Sequence, residues 1–499
     1  TKKEAPYFLS ALIIFFGTSK AALPLLEKLP VNQLFWMNRF TTISMAMIGV
    51  GLLYWKSLRK SILILLLSLL VIDSAFSFHL LGFNGQFPDT LSKELDIASK
   101  ISSQRVAVLD GSQFGSFPSF YTKAPQVYGW AWQGAGTAEN IVLLNTALEN
   151  GYYEVMFDRI LELGADTLLI KKDLINELSR LEKVALNQGY IEKYRDDRVI
   201  IYKYPVATKF GTKVSYEATA VGQYASNLLY IFPKMQLASS DYIDNYTFDD
   251  LKDNKVIFLS GFKYKNKKTA EDLVLQLSRN GIRVVIDSVG LEESFLGVSG
   301  EAITIKDNFK ELYYKNQQLP MEDFPQEYRP WKATFLRGIE NMDSYEVANS
   351  KLLNYIGSKD NENLTFIGLN LPYYAFLTKD ASAIKMLGDS LNLKPYELPE
   401  RTADEVRISR NGDILNINAA SSNIIIPVAA LDAFVKMSGD YETKNNLIYL
   451  KSRELALKVT YPYRKEGICI SLAFVITMAA STVYLRQKTM NAISAEVIS

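Results

Sequence analysis

Histidine and cysteine are almost absent from this 499-residue sequence, which contains only His79 and Cys469. A zinc cluster needs several such ligands and a disulfide needs two cysteines, so neither can form within the chain. The phosphate-binding patterns GxGxxG and GxxxxGK followed by Ser or Thr are also missing. We therefore predict no metal and no cofactor.

The chain also lacks net charge, because 55 Lys and Arg face 54 Asp and Glu. Proteins that bind nucleic acid carry a surplus of basic residues, so this balance gives no reason to expect such a partner. Acidic residues are so numerous that neighbouring carboxylates identify no active site. Catalytic residues are therefore unknown from the sequence.

Hydrophobic residues, in contrast, make up 48% of the sequence and concentrate in four stretches. These stretches cover residues 7–26, 40–55, 61–78 and 467–485. Each is close to the ~20 residues that cross a bilayer as a helix, so about four transmembrane helices are predicted. The alternative is a fully buried helix in a globular fold. Basic residues flank the stretches mainly on one side, which predicts a multi-pass protein of the cell membrane with its large central region outside the cytoplasm.

The sequence begins with Thr1 and reaches the first apolar stretch almost at once. We interpret it as the C-terminal portion of a longer multi-pass protein; the alternative is a complete chain trimmed by processing. The predicted fold class is an α/β membrane protein with two extracytoplasmic α/β units and a C-terminal β-domain. The predicted boundaries are 1–83 for three transmembrane helices, 84–240 and 241–395 for the α/β units, 396–463 for the β-domain, and 464–499 for the last helix and a cytoplasmic tail.

Local patterns support these units. The segments RVAVLD, ADTLLIKK and RVIIYKYP predict strands in the first unit. In the second, KVIFLSG, TAEDLVLQLSRNG and IRVVIDS predict a strand, a helix and a parallel strand with a right-handed crossover. A further helix is expected at about 380–391. In the third, VRISRNGDILNINA alternates and turns at Asn411 and Gly412, which predicts a hairpin.

Two groups of residues are candidate binding sites. Tyr128, Trp130 and Trp132 alternate, so a strand would place the three rings on one face beside the amide of Gln133, an arrangement suited to stacking on sugar rings. Arg39 precedes the second apolar stretch, where a cation would hold a lipid phosphate. The alternatives are an aromatic core cluster for the rings and an interfacial anchor for Arg39.

A second aromatic group, Tyr328, Arg329 and Trp331, leaves the same choice between a ligand site and the core.

Four segments carry a resemblance to known families: LPVNQLFWMNRF, PSFYTKAPQVYGWAWQGAGTAENI, FDRILELGADTLLIKK and YPYRKEGICISL. With the arrangement of apolar stretches, they resemble the bacterial YfhO-like and 6-pyruvoyl-tetrahydropterin synthase-related membrane proteins, which are similar to GT-C glycosyltransferases. The resemblance implies a role in cell-surface polysaccharide or glycolipid assembly. The implied partners are membrane lipid, a polyprenyl-phosphate sugar donor and surface glycan, and the catalytic acid would lie outside this chain. Pterin synthase chemistry is not implied, because it needs several histidines.

The segments KVIFLSG, GIRVVIDS and TFIGLN resemble the strands of a class I glutamine-amidotransferase domain. Amidotransfer needs a cysteine nucleophile, and Cys469 lies in the last apolar stretch, so this domain is predicted to be non-catalytic. Whether the chain is an enzyme stays open. The alternative to a GT-C-type glycosyltransferase is a non-catalytic, membrane-anchored module that binds glycan or protein outside the cytoplasm.

Overall fold

The structure is a computed structural model, and it describes residues 5–17, 41–54, 64, 68, 91–111, 127, 138–306, 312–348, 351–460 and 464–477. The chain forms two compact units, Thr1–Asp89 and Thr90–Ser499.

The first unit contains two apolar helices, α1 (Ala5–Gly17) and α2 (Thr41–Tyr54), packed against each other. The hydroxyl of Ser44 donates to the Ala11 carbonyl at 2.7 Å, and both residues are buried. At another contact between the same two helices, the ring of Phe8 lies against Gly51, where a Cβ would be 3.1 Å from the ring. The small residues Ala11, Ser44 and Gly51 therefore allow the two helices to approach each other closely.

The predicted fold class is wrong in its membrane part. Within the described ranges, no helix is both long and apolar enough to cross a membrane. Helix α1 has 13 residues and α2 has 14, whereas a bilayer takes ~20. Hydropathy identifies apolar residues but does not show that they form one long helix. Parts of all four predicted spans, and most of the third, 61–78, lie outside the described residues. The described strands lie in sheets of four, eleven and eight strands, and the described helices are not membrane-like.

In the second compact unit, Thr90–Ser499, one sheet has four strands in the order β1-β2-β4-β3. Strands β1 and β2 are parallel, and the other pairs are antiparallel. The three strands predicted for this region are confirmed, and their runs of Val, Ile and Leu are buried because helices cover the sheet. The strands are β1 (Val106–Leu109), β2 (Thr167–Lys171), β3 (Ile191–Arg195) and β4 (Val199–Lys203), and the helices are α3 (Ser92–Ile101), α4 (Ala138–Glu149), α5 (Tyr153–Arg159) and α6 (Leu178–Asn187).

The largest sheet has eleven strands. One part of it is parallel, in the order β16-β9-β8-β6-β7 with β7 at the edge, and the predicted strand–helix–strand unit β8-α8-β9 is confirmed. Antiparallel strands extend it to one side. The strands are β6 (Ala218–Val221), β7 (Met235–Leu237), β8 (Val256–Leu259), β9 (Arg283–Asp287), β10 (Ser299–Ile305), β11 (Leu312–Tyr314), β12 (Gln317–Gln318), β13 (Trp331–Arg337), β14 (Asn341–Ala348), β15 (Lys351–Lys359) and β16 (Asn361–Ile367), with helices α7 (Phe248–Leu251), α8 (Lys267–Arg279), α9 (Leu371–Thr378) and α10 (Ala381–Leu391).

The third sheet has eight strands in the order β20-β23-β18-β17-β5-β19-β22-β21. The predicted hairpin joins β17 to β18, with Gly412 at φ 58° in the turn. The strands are β5 (Phe210–Val214), β17 (Arg401–Asn411), β18 (Ile414–Ala419), β19 (Ile424–Ala429), β20 (Phe434–Ser438), β21 (Tyr441–Lys444), β22 (Leu447–Leu450) and β23 (Glu454–Val459), followed by helix α11 at 464–477. Strand β5 comes from far upstream, so this sheet is not one contiguous segment.

Candidate functional site

The five site residues predicted from the sequence, Arg39, Tyr128, Trp130, Trp132 and Gln133, all lie outside the described residues. They stay predictions.

The second aromatic group falls within the described chain, and of its members only Trp331 packs into the core. Trp331 is 3% exposed, stacks on Phe324 with ring centroids 5.0 Å apart, and donates from Nε1 to the Leu369 carbonyl at 2.9 Å. Tyr328 remains 37% exposed. For Trp331 the core alternative is therefore the one observed.

An open groove of about 680 Å³ runs along α10 and the loop that follows it. Ala381, Lys385, Gly388 and Asn392 line it at spacings of four, three and four residues, which places them on one face of the helix. Ala381 carries only a methyl group and Gly388 has no side chain, so neither residue fills the space beside the longer side chains of the groove. The predicted helix at 380–391 is confirmed, but its role as the wall of a groove was not predicted.

Buried contacts hold α10 in place. On its other face Ala383, Leu387 and Leu391 are fully buried. The Asp380 carboxylate caps the helix, accepting from the Ala383 N–H at 2.6 Å and from the Glu322 N–H at 2.7 Å. The groove therefore has a rigid wall, which favours binding because little order is lost when a ligand enters.

Three lysines, Lys379, Lys385 and Lys394, give the groove its charge. Within the described ranges none of them has a carboxylate within 4.0 Å, whereas Asp389 at the rim is shared by Lys315 at 3.6 Å and the Tyr314 hydroxyl at 3.1 Å. Ammonium groups that face one concave surface without an adjoining carboxylate attract anions.

Lys379 occupies a more enclosed position than the other two lysines. Its Nζ lies 4.9 Å from the centre of the Tyr152 ring, a cation–π contact. Partial burial, followed by the nearby Arg180 guanidinium, lowers the pKa of Lys379. An anion bound beside it would favour its protonated form.

Three lining residues have positive φ angles. Lys379 (φ 55°) and Asn392 (φ 52°) are the C-caps of α9 and α10, where the left-handed conformation is common. Tyr396 (φ 62°) caps no helix, and a bulky residue there is strained. Its N–H donates to the Ile231 carbonyl at 2.7 Å, and its ring is 38% exposed. Strain of this kind clusters at ligand sites.

Beyond the groove, the carboxyl ends of the parallel strands are a second place where ligands bind in open α/β sheets. Asp287 ends β9 there, and burial raises the pKa of its carboxyl to about 7. It accepts from the Ser260 hydroxyl at 2.7 Å. The loops after β6 and β8 meet tightly, since a Cβ on Gly222 would collide with the Ser260 carbonyl and Tyr224 lies over Gly261. Protein therefore fills this crevice.

A buried ionic cluster formed by Asp158, Arg159, Glu162, Tyr216 and Arg401 was not predicted either. Its members come from distant segments, and no local pattern signals them. The adjoining cavity of about 20 Å³ has room for one water molecule at most. We infer that this cluster stabilises the fold and does not bind a ligand.

Comparison with known proteins gives three family matches. Residues 1–81 match a family model described as 6-pyruvoyl-tetrahydropterin synthase related domain; membrane protein. Residues 90–215 match a domain of unknown function (DUF8559), and residues 217–374 match another (DUF8560). No curated protein matches the chain.

The first match supports the predicted relation to that membrane family and a location at a membrane. It does not extend to the YfhO-like or GT-C resemblance. The described helices give no support to a multi-pass topology.

Proposed function

We propose that this chain is a membrane-associated binding protein whose lysine-lined groove captures an acidic glycan outside the cytoplasm. The observation that carries the proposal is the convergence of Lys379, Lys385 and Lys394 on one groove without a described carboxylate partner. The residues of the groove form no nucleophile–base pair, so binding rather than turnover is the chemistry they favour.

The lining favours a sugar chain that carries carboxylate or phosphate groups. Lysine ammonium groups are compact point charges suited to such anions. The exposed ring of Tyr396 offers a flat apolar face, and the Asn392 amide offers both a donor and acceptors for hydroxyl groups. The volume of about 680 Å³ lies within the usual range of small-molecule sites.

Titration calorimetry of the full chain in lipid nanodiscs tests the proposal. An oligogalacturonide is compared with a neutral malto-oligosaccharide of equal length. We expect binding of the acidic sugar only, weakened by salt because the ion pairs are exposed. The variant Lys385→Gln/Lys394→Gln should bind more weakly, and the control Lys351→Gln, an exposed lysine on β15, should bind normally. Equal binding by both variants would contradict the groove as the site.

A second candidate is a GT-C-type glycosyltransferase that uses a polyprenyl-phosphate sugar donor. The observation that favours it is the membrane-family match at residues 1–81. Its test is transfer of radiolabelled sugar from that donor in nanodiscs by the product of the complete reading frame, because the resemblance puts the catalytic acid outside this chain. Transfer that survives the Lys385→Gln/Lys394→Gln change would favour an enzyme whose chemistry lies elsewhere, and absence of transfer would remove this candidate.

A further inference from the structure

One end of the eight-stranded sheet exposes apolar side chains. Strand β20 is an edge strand, and Val435 within it is 50% exposed. Leu431, just before the strand, is 45% exposed. Their neighbour Phe434 packs inward against the core of the sheet, so the two exposed side chains stand on a well-ordered base. We call Leu431, Val435 and their surroundings the sheet-end patch.

Backbone hydrogen bonds define which residues share this end. The Val459 N–H donates to the Asp413 carbonyl, and the Thr460 N–H donates to the Ala433 carbonyl, both at 2.7 Å. The β17–β18 turn, the segment before β20 and the end of β23 therefore meet at one end of the sheet.

The same end of the sheet leads into helix α11. Strand β23 ends at Val459 and the helix begins at residue 464, so the two are separated by at most about 17 Å of extended chain. All residues of α11 are exposed. Its large apolar side chains, between 52% and 70% exposed, are Ile468, Ile470, Leu472, Phe474, Val475 and Ile476. A second apolar surface therefore follows the patch within a few residues of sequence.

Charge at the patch is mixed. Lys458 pairs directly with Val435 across the strands, and the two side chains share a face of the sheet. Within the described chain no carboxylate lies within 4.0 Å of Lys458, while Lys436 is held by Asp440 at 2.8 Å. Asp413 and Asp432 lie at the same end, which limits the attraction to anions. Apolar contact must therefore supply most of any binding at this surface, with Lys458 adding a headgroup contact.

We propose that the sheet-end patch rests on the surface of a lipid bilayer, with Leu431 and Val435 in the interfacial region and the Lys458 ammonium at the phosphate level. A bilayer covers the patch and α11 together, and the family match at residues 1–81 independently supports a membrane location. A second copy of the chain is less suited to the patch alone, because a stable dimer buries about 800 Å² on each partner and two side chains supply much less. The proposal does not depend on the groove.

Site-specific quenching tests the proposal in the full chain. In a Cys469→Ser background, a single cysteine is placed at Leu431, Val435 or Arg407, labelled with NBD and reconstituted in nanodiscs that contain phosphatidylglycerol. Arg407 is the matched control, because it is exposed on β17 four residues from the turn, about 14 Å away. We expect doxyl-labelled lipid to quench the labels at 431 and 435 and iodide to quench the label at 407.

Two results would overturn the proposal. Equal access of iodide to all three labels would place the patch in water. Protection from iodide that rises with protein concentration, without quenching by doxyl lipid, would assign the patch to a second copy. Since Leu431 and Val435 are about half exposed, either cysteine variant can serve alone if the other does not fold.

Discussion

Arg401 on β17 donates two hydrogen bonds to the Asp158 carboxylate on α5, from Nε to Oδ1 at 2.8 Å and from Nη2 to Oδ2 at 2.7 Å. The two side chains are 4% and 6% exposed, although they lie 243 positions apart in the sequence. The third nitrogen, Nη1, lies 2.8 Å from the Glu162 carboxylate. One guanidinium therefore bridges two buried carboxylates, with Arg159 supplying the second positive charge, and joins the eight-stranded sheet to the helices that cover the four-stranded sheet.

Replacing this guanidinium by an apolar group should be severely destabilising. Arg401→Met leaves Asp158 and Glu162 buried with less compensation, and breaking a buried ion pair costs roughly 3–5 kcal/mol. Urea denaturation of the detergent-solubilised chain would measure the loss. The matched control Arg407→Met, at an 84% exposed side chain on the same strand, should change stability by less than about 0.5 kcal/mol. Equal losses would mean that the cluster is not a structural joint.

Because the pKa of Asp287 is raised by burial, this carboxyl should make the folded chain less stable as pH rises. Burial raises this pKa from 3.8 to about 7, so between those values the folded chain binds a proton that the unfolded chain has released. Stability contributed by this group is therefore lost as pH rises through the window, by roughly 4 kcal/mol at most for a shift of about three units.

Asp287→Asn removes the titrating group and tests this sign. The melting temperature of the variant minus that of the unmodified chain should increase from pH 5 to pH 8. Asp249→Asn, at an 81% exposed side chain, should give a constant difference over the same range. A flat profile for Asp287→Asn would show that the carboxyl is already ionised at pH 5.

Acidification acts on the ionic cluster in the opposite sense. Burial alone would raise the pKa of Glu162, but Arg401 and Arg159 outweigh it and lower the pKa. Stability from this carboxylate is present above its unfolded pKa of 4.5 and is lost as pH falls through the lower folded value. In Arg401→Met the acid limb of the stability profile should therefore move to higher pH, which denaturation between pH 3 and 6 would detect.

The two glycines Gly222 and Gly281 separate two costs of adding a side chain. Both have positive φ, at 113° and 86°, but a Cβ on Gly281 meets nothing within 4 Å, while one on Gly222 collides with the Ser260 carbonyl. Gly281→Ala should cost about 1 kcal/mol from backbone strain alone. Gly222→Ala should cost at least about 2 kcal/mol more, because the loops at the sheet edge must separate. Chemical denaturation of both variants measures the difference, and equal costs would mean that these loops are loosely packed.

Much of the second unit was predictable because its signals are local. The unit β8-α8-β9 and the turn at Gly412 follow from periodicity and turn residues within short windows. Pairings between distant segments were not predictable in this way. Strand β5 pairs with Arg401–Glu405 at the start of β17, and nothing in either segment names the other.

The groove was also not predictable from the sequence, because its lysines come together only in the fold. Lysines at 379, 385 and 394 look like solvated charges, because two of them follow helix ends where basic residues are common. Only the fold shows that they line one concavity. The predicted aromatic site at Trp130 and Trp132 lies outside the described residues and stays a prediction, and so does the lipid contact at Arg39.

The strained residue Tyr396 allows ligand binding to be separated from folding. Asn tolerates positive φ better than an aromatic residue does, so Tyr396→Asn should fold at least as stably as the unmodified chain. The same change removes the exposed ring that would stack on a sugar, and an aromatic contact of this type contributes about 1 kcal/mol, or a roughly fivefold loss of affinity. Calorimetry with the oligogalacturonide, combined with a melting temperature, measures both effects. Tyr328→Asn, at a similarly exposed tyrosine outside the groove, is the control and should bind normally. Unchanged affinity in Tyr396→Asn would remove the ring from the site and leave the lysines as its only determinant.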